Sequence, residues 1–124
     1  MNHPYFKDKV IIVTGASSGI GLASARLFGS CGAKLVLAAR SIDKLESLSA
    51  SVAPAERVLC VKCDVSCEQD CKQMVQAALQ RFGRIDILVN NAGISMRAMF
   101  ADLDLKVIRS LMDVNFWGTV NCTK

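Results

Sequence analysis

A glycine-rich segment, residues 14–21 (TGASSGIG), follows the apolar β-branched run 10–13 (VIIV) and precedes a helical pattern. A strand that ends in a glycine turn and continues as a helix brings backbone N–H groups and the positive helix end to one point, which suits a phosphate group. Gly15, Gly19 and Gly21 have separate tasks in such a turn: one allows a sharp reversal, one lets a pyrophosphate touch the backbone, and one lets the helix lie close to the sheet. The segment therefore predicts a dinucleotide-binding turn, with a ligand-free glycine turn as the alternative.

Strand and helix patterns alternate along the rest of the chain. Apolar runs predict strands at residues 9–13, 33–39, 57–64 and 85–89, and helical spacing follows each of them. This order predicts an α/β fold, a Rossmann-like doubly wound parallel sheet with strand order 3-2-1-4. We expect residues 1–124 to form a single dinucleotide-binding domain that is truncated at its C-terminal end, because the fourth strand would otherwise be an uncovered edge.

Apolar spacing predicts which helix faces pack against the sheet. In the first helix, residues 19–31, the predicted inward residues are Ile20, Ala23, Leu27 and Cys31. In the third helix they are Cys67, Cys71, Met74, Val75, Ala78, Leu79 and Phe82. The last helical pattern consists of Leu105, Ile108, Leu111 and Met112 and continues toward Lys124.

Helix ends are marked by residues suited to capping. Ser41 is predicted to cap the second helix, and Ser66 with Gln69 has the capping-box spacing before the third. Gly32 and Gly83 are placed to end the first and third helices in the left-handed conformation.

Composition narrows the classes of function. The net charge is +4, but the 15 basic residues are scattered and aromatic residues make up only 6%, so nucleic-acid binding is disfavoured. No apolar run approaches the roughly 18 residues that a membrane helix needs, which predicts no membrane association. The six cysteines, in a chain with a nucleotide-type turn, predict reduced thiols and a cytoplasmic location.

The spacing Gly-x-x-x-Gly-x-Gly and the later sequence Asn-Asn-Ala-Gly at residues 90–93 resemble the cofactor loop and the strand-four motif of the classical short-chain dehydrogenase/reductases. The resemblance spans residues 9–123. It implies that Asp64 and Val65 meet the adenine ring, although Asp64 could instead be a capping residue just ahead of Ser66. The candidate cofactor-binding residues are Gly15, Ser17, Ser18, Gly19, Ile20, Gly21, Arg40, Asp64, Val65, Asn91, Ala92 and Gly93.

Arg40 carries the prediction of cofactor type. It stands 19 residues after Gly21, at the strand end where an acidic residue would hold the ribose 2′-hydroxyl of NAD. A guanidinium at that point can bind a 2′-phosphate in a fork, whereas a carboxylate would repel it. NADP(H) is therefore the predicted cofactor, with NAD(H) as the second option, and a plain exposed strand-end charge is the alternative for Arg40.

One candidate catalytic residue, Asn115, follows from the resemblance, which implies that it holds a water in a proton relay. Members of the family also use a serine and a Tyr-x-x-x-Lys pair in the later half of the chain. Tyr5 is the single tyrosine here, so the segment is predicted to be inactive alone.

The spacing of Cys60, Cys63, Cys67 and Cys71 superficially resembles a metal motif. Residues 60 and 63 are three apart on a predicted strand and so point to opposite faces, while 67 and 71 belong to the inward face of the next helix. Buried thiols are therefore predicted, and no metal site. His3 receives no role, and Met96, Met99 and Phe100 fit either a substrate lid or ordinary packing.

These observations favour an NADP(H)-dependent short-chain oxidoreductase that transfers hydride between nicotinamide and a carbonyl or alcohol substrate, seen here as its cofactor-binding segment. The full-length protein is expected to be a homo-oligomer. The alternative is a non-catalytic nucleotide-binding or scaffolding protein that lacks the active half.

Overall fold

The computed structural model describes residues 4–91 and 117–123. Four parallel strands, β1 (Val10–Thr14), β2 (Lys34–Ala39), β3 (Val58–Lys62) and β4 (Ile87–Val89), form one sheet in the order β3-β2-β1-β4. The helices are α1 (Gly19–Ser30), α2 (Ile42–Ser49), α3 (Glu68–Phe82) and α4 (Gly118–Thr123), and 3-10 turns cover Pro4–Phe6 and Ala55–Arg57. The predicted fold and strand order are confirmed. The helical pattern at residues 105–112 lies outside the described residues.

Side chains on both faces of β1 and β2 are buried, with successive residues pointing to opposite sides, and those of β3 and β4 are mostly half-buried. Ile11 and Leu35 belong to a core that includes Ala25 of α1 and Leu45 of α2. On the other face, a second core consists of Ile12, Val36, Ala38, Cys63, Val65, Cys71, Met74, Ala78 and Cys122. We call these the first core and the second core. Burial from both sides explains why the strands are continuous apolar runs rather than alternating ones.

The inward face of α1 differs from the predicted one. Gly21 and Ala25 are the buried residues of α1, while Ile20 and Leu27 are 78% and 50% exposed. The partly buried Phe28 packs against the first core. Apolar residues occupy two adjacent faces of this helix, and close approach of α1 to the sheet selects the face with the small side chains. The prediction used apolar spacing alone and is wrong for Ile20, Ala23 and Leu27, whereas Cys31 at the end of α1 is buried as predicted.

The start of α3 also differs from the prediction. Cys67 is the N-cap, and it provides no side-chain cap. Ser66 instead bonds to Asp64: its backbone N–H and its hydroxyl donate to Oδ1 of Asp64 at 3.0 and 2.6 Å. The capping-box prediction for Ser66 and Gln69 is wrong because the nearer carboxylate of Asp64 engages the serine and forms a turn one residue before the helix.

The predicted inward face of α3 is confirmed at Cys71, Met74 and Ala78 and is wrong at Cys67 and Leu79. Cys71, Met74 and Ala78 are buried in the second core, whereas Cys67 is exposed and Leu79 is 45% exposed. Cys67 is the N-cap and so precedes the first residue of α3.

Three other helix-end predictions are confirmed. The Ser41 hydroxyl accepts a hydrogen bond from the Lys44 backbone N–H at 3.4 Å at the start of α2. Gly83 ends α3 with a φ of 80°, and its N–H donates to the Leu79 carbonyl at 2.8 Å. Gly32, with a φ of 83°, follows α1 and leads into β2. Glycine adopts this left-handed conformation without the steric cost that other residues meet.

Candidate cofactor-binding site

A cleft of about 480 Å³ opens at the carboxyl ends of β1, β2 and β3. In an open parallel sheet this edge is where ligands bind, because the strand order reverses there. Nine of the ten described candidate residues line this cleft, and the tenth, Gly21, is buried behind the turn. The nine are Gly15, Ser17, Ser18, Gly19, Ile20, Arg40, Asp64, Val65 and Asn91. Ala92, Gly93 and Asn115 lie outside the described residues, as do Met96, Met99 and Phe100.

The glycine turn forms one wall of the cleft. Gly15 and Gly19 have φ values of 64° and 60°, so both positions use the left-handed conformation that glycine permits. Ser18 precedes α1 with extended backbone angles, and its side chain does not cap the helix. The first backbone N–H groups of α1 are therefore not capped by this hydroxyl and lie at the cleft, where they can attract an anion.

Gly21 and Asn91 hold the turn against the end of β4. The Asn91 side-chain amide donates to the Gly15 carbonyl at 3.3 Å. A Cβ atom on Gly21 would collide with that same carbonyl oxygen and would lie 2.5 Å from Nδ2 of Asn91. The backbone and the amide thus fill the space that a side chain at residue 21 would need.

The Thr14 side chain also connects the glycine turn to the end of β4. It is 1% exposed, its hydroxyl donates to the Val89 carbonyl at 3.3 Å, and it accepts from the Asn91 backbone N–H at 3.0 Å. One buried hydroxyl therefore links the ends of β1 and β4 and fixes the start of the Asn91 segment. Thr14 was not predicted to have this role, although its place between a buried strand and the glycine turn was a usable signal.

Arg40 lies between β2 and α2, on the cleft side. Ser41 and Lys44, in the cap and first turn of α2, line the cleft beside it. Within residues 4–91 and 117–123, neither Arg40 nor Lys44 takes part in an ion pair. Two cations and a helix start thus face the same space, which favours a negatively charged group. Lys44 was missed by the sequence analysis, although its position four residues after Arg40 was visible in the sequence.

Asp64 and Val65 form the opposite wall. The Asp64 backbone N–H donates to Oδ2 of Asp70, in the first turn of α3, at 3.0 Å, and the Cys67 N–H donates to the Asp64 carbonyl at 2.9 Å. The Asp64 carboxylate accepts both bonds from Ser66 in a turn ahead of α3, whose N-cap is Cys67, and Asp64 also borders the cleft. The contact of Asp64 with adenine stays a prediction. Cys63, just before it, also lines the cleft.

The cysteines do not converge on a metal site in the described parts of the chain. Cys60 packs against the first core and Cys63 belongs to the second, so the two point to opposite faces as predicted. Among residues 4–91 and 117–123, no group of three or more His, Cys, Asp or Glu side chains is arranged to hold a metal ion. The same residues include no helix long and apolar enough to cross a membrane.

Comparison with protein families gives a match over residues 9–124 to the model described as short chain dehydrogenase. The chain is 44% identical over 119 residues to 11-beta-hydroxysteroid dehydrogenase A of Sesamum indicum. The aligned residues make up 94% of this chain and 34% of that protein. It is 40% identical over 119 residues to the uncharacterized oxidoreductase YxnA of Bacillus subtilis, covering 95% of this chain and 33% of that protein.

Solved structures agree with this match. A short-chain dehydrogenase/reductase of Brucella melitensis, named for glucose/ribitol dehydrogenase, superimposes with a TM-score of 0.95 at 34% identity, covering 99% of this chain and 52% of that one. The 3-ketoacyl-(acyl-carrier-protein) reductase of the same organism, solved with NADH, gives a TM-score of 0.90 at 34% identity and covers 95% and 48%. The chain thus spans about a third to a half of the length of these relatives.

Proposed function

Because this chain belongs to the short-chain dehydrogenase/reductase family, we propose that it is the cofactor-binding segment of an NADP(H)-dependent oxidoreductase. The whole protein would transfer hydride between the nicotinamide ring and a small-molecule carbonyl or alcohol. The cofactor supplies the hydride chemistry when it is bound. The residues of this chain bind and orient it.

The shared cleft is the observation that carries the proposal. Candidate residues from four separate parts of the sequence line one space at the carboxyl edge of the sheet. The backbone of the glycine turn is also packed closely against the start of α1, since a Cβ atom on Gly21 would collide with the Gly15 carbonyl oxygen. Such close backbone packing beside a helix start is what a pyrophosphate group requires.

The binding roles follow from the chemistry of each wall. The glycine turn and the α1 N-terminus would hold the pyrophosphate, and Asp64 and Val65 would border the adenine. Asn91, with Ala92 and Gly93 after it, would line the next part of the cofactor. Asn115 is proposed to hold a water in the proton relay, as the family resemblance implies.

Arg40 supports the choice of NADP(H) over NAD(H). It lines the cleft at the end of β2, with Ser41 and Lys44 next to it. A guanidinium that donates to a 2′-phosphate contributes about 1.5 to 3 kcal/mol, which corresponds to roughly a ten- to hundredfold preference. One relative was solved with NADH, which is a property of that reductase.

Replacing Arg40 with aspartate tests this assignment. We expect Arg40→Asp to bind NADH more tightly than NADPH, because a carboxylate can accept from a ribose hydroxyl and repels a phosphate. Calorimetric titration of both cofactors against the variant measures the order directly.

Arg26→Asp is the matched control for net charge. Arg26 is exposed on α1 and contacts Ser51, and it does not line the cleft. The control variant should keep the NADPH preference. A preference lost equally in both variants would assign the effect to overall charge and would refute the role of Arg40.

Two further features of the whole protein are proposed. The full-length protein is proposed to be a homo-oligomer. All six cysteines are free thiols, which supports a reducing compartment such as the cytoplasm.

A further inference from the structure

Two thiols from distant parts of the chain meet in the second core. The Sγ atoms of Cys71 on α3 and Cys122 on α4 are 3.5 Å apart, and the two residues are 1% and 5% exposed. Cys63, 2% exposed, belongs to the same core at the end of β3. The proposed dinucleotide function gives none of these thiols a role.

We propose that Cys71 and Cys122 form an intrachain disulfide when the protein meets a hydroperoxide, and that this bond is a reversible modification site linking α3 to α4. A disulfide requires an S–S distance of about 2.05 Å, so the sulfur atoms need to approach by roughly 1.5 Å from their separation of 3.5 Å. Side-chain rotation can supply much of this movement, because α3 and α4 already pack against each other.

The reaction balances with one molecule of hydrogen peroxide, the simplest hydroperoxide, per disulfide. The Cys122 thiolate attacks a peroxide oxygen and breaks the O–O bond, which gives a sulfenic acid and hydroxide. The Cys71 sulfur then attacks the Cys122 sulfur, and the S–O bond breaks with loss of a second hydroxide. The two thiol protons convert both hydroxides to water, so the sulfurs lose two electrons in total and the peroxide gains them.

Burial keeps both groups reduced until the fold opens locally. It raises the pKa of Cys122 to about 12, and it raises the pKa values of Cys71 and Cys63 as well. A buried neutral thiol reacts slowly, because the thiolate is the nucleophile. Reaction therefore occurs while α4 is transiently displaced from α3, and Cys122, the slightly more exposed of the pair, reacts first.

The bond would also affect the cleft. The Cys71 thiol donates to the Val65 carbonyl at 3.5 Å, and Val65 lines the cleft. A disulfide sulfur has no hydrogen to donate, so oxidation removes one support of this wall. On the proposed function, we expect cofactor affinity to fall roughly two- to tenfold after oxidation.

Peptide mapping of the oxidised protein tests the proposal without reference to the cofactor. The purified protein is treated with a small excess of hydrogen peroxide, unfolded, alkylated, digested and analysed by mass spectrometry. We expect a peptide pair joined through Cys71 and Cys122, lighter by two hydrogen atoms than its reduced components and released by dithiothreitol. Cys67→Ser, which removes an exposed thiol, should retain this pair, and Cys122→Ser should lose it.

Two outcomes would overturn the proposal. One is a map in which Cys71 pairs with Cys63. The other is a protein in which Cys67 is oxidised while Cys71 and Cys122 are both still alkylated as free thiols. The mapping uses the unaltered chain, so it gives an answer even if Cys122→Ser fails to fold. Titration of the reduced protein with NADPH shows whether the cleft binds the cofactor. A failure of the proposed function can therefore be distinguished from a failure of the disulfide proposal.

Discussion

Replacing Gly21 with alanine is expected to weaken dinucleotide binding by about a hundredfold or more, which is about 2.8 kcal/mol at 1.4 kcal/mol per tenfold change. The added Cβ would collide with the Gly15 carbonyl and would lie 2.5 Å from the Asn91 amide nitrogen. The turn and Asn91 must therefore separate, and both line the cleft. Calorimetric titration with NADPH measures the loss.

Gly29→Ala is the matched control for this variant, because Gly29 lies on the same helix away from the cleft. Its Cβ would collide with the Val52 carbonyl oxygen and lie 3.1 Å from the carbonyl carbon. Overpacking of this kind costs typically about 1 to 3 kcal/mol of stability. Both variants should lose stability in urea denaturation, and only Gly21→Ala should lose binding. Equal binding by Gly21→Ala and the unmodified chain would contradict the proposed cleft.

No hydride-transfer turnover is expected from the 124-residue chain by itself, even when it is saturated with NADPH. Proton transfer in this family is expected to use a tyrosine next to a lysine, and the one tyrosine here is Tyr5. Tyr5 lies in the turn Pro4–Phe6, and Asp8 of the following segment donates to the Gly32 carbonyl ahead of β2. That contact is at the amino edge of the sheet, and the cleft is at the carboxyl edge.

A panel of ketones and aldehydes, followed by NADPH absorbance, measures the rate, with a family member of full length as the positive control. Solution mass should also show association through the β4 edge. A monodisperse monomer with turnover above background would refute both expectations. Turnover alone would show that the relay can be built from other residues of this chain.

The fold could be predicted from the sequence because its signals are local and agree with one another. Continuous apolar runs mark strands buried on both faces, and Gly83 marks the end of α3. The packing face of α1 could not be predicted in this way, since Leu27 and Phe28 are both apolar and only the tertiary contact of Gly21 decides between the faces. The hydrogen bond between Ser66 and Asp64 was not predicted, because Ser66 also has the spacing of a capping box with Gln69 and the sequence does not show which of the two it forms.

Those residues of the candidate site that directly follow strands could be predicted from the sequence. Arg40 and Asp64 follow predicted strands, and parallel topology brings such positions to one edge. The positions of Thr14 and Lys44 were visible in the sequence, but their roles were missed, because the Thr14 bond to Asn91 and the side of α2 that carries Lys44 depend on tertiary contacts. The thiol contact between Cys71 and Cys122 joins residues 51 apart in sequence, and no local pattern indicates which helices meet.

Parallel calorimetric titrations of the unmodified chain with NADPH and NADH, at one fixed ionic strength, test the central claim most directly. Fixed salt is needed because screening weakens phosphate contacts at exposed charges. We expect one site per chain and tighter binding of NADPH by roughly ten- to a hundredfold, owing to the 2′-phosphate contact with Arg40. Equal affinities for the two cofactors, or no binding of either, would contradict the account.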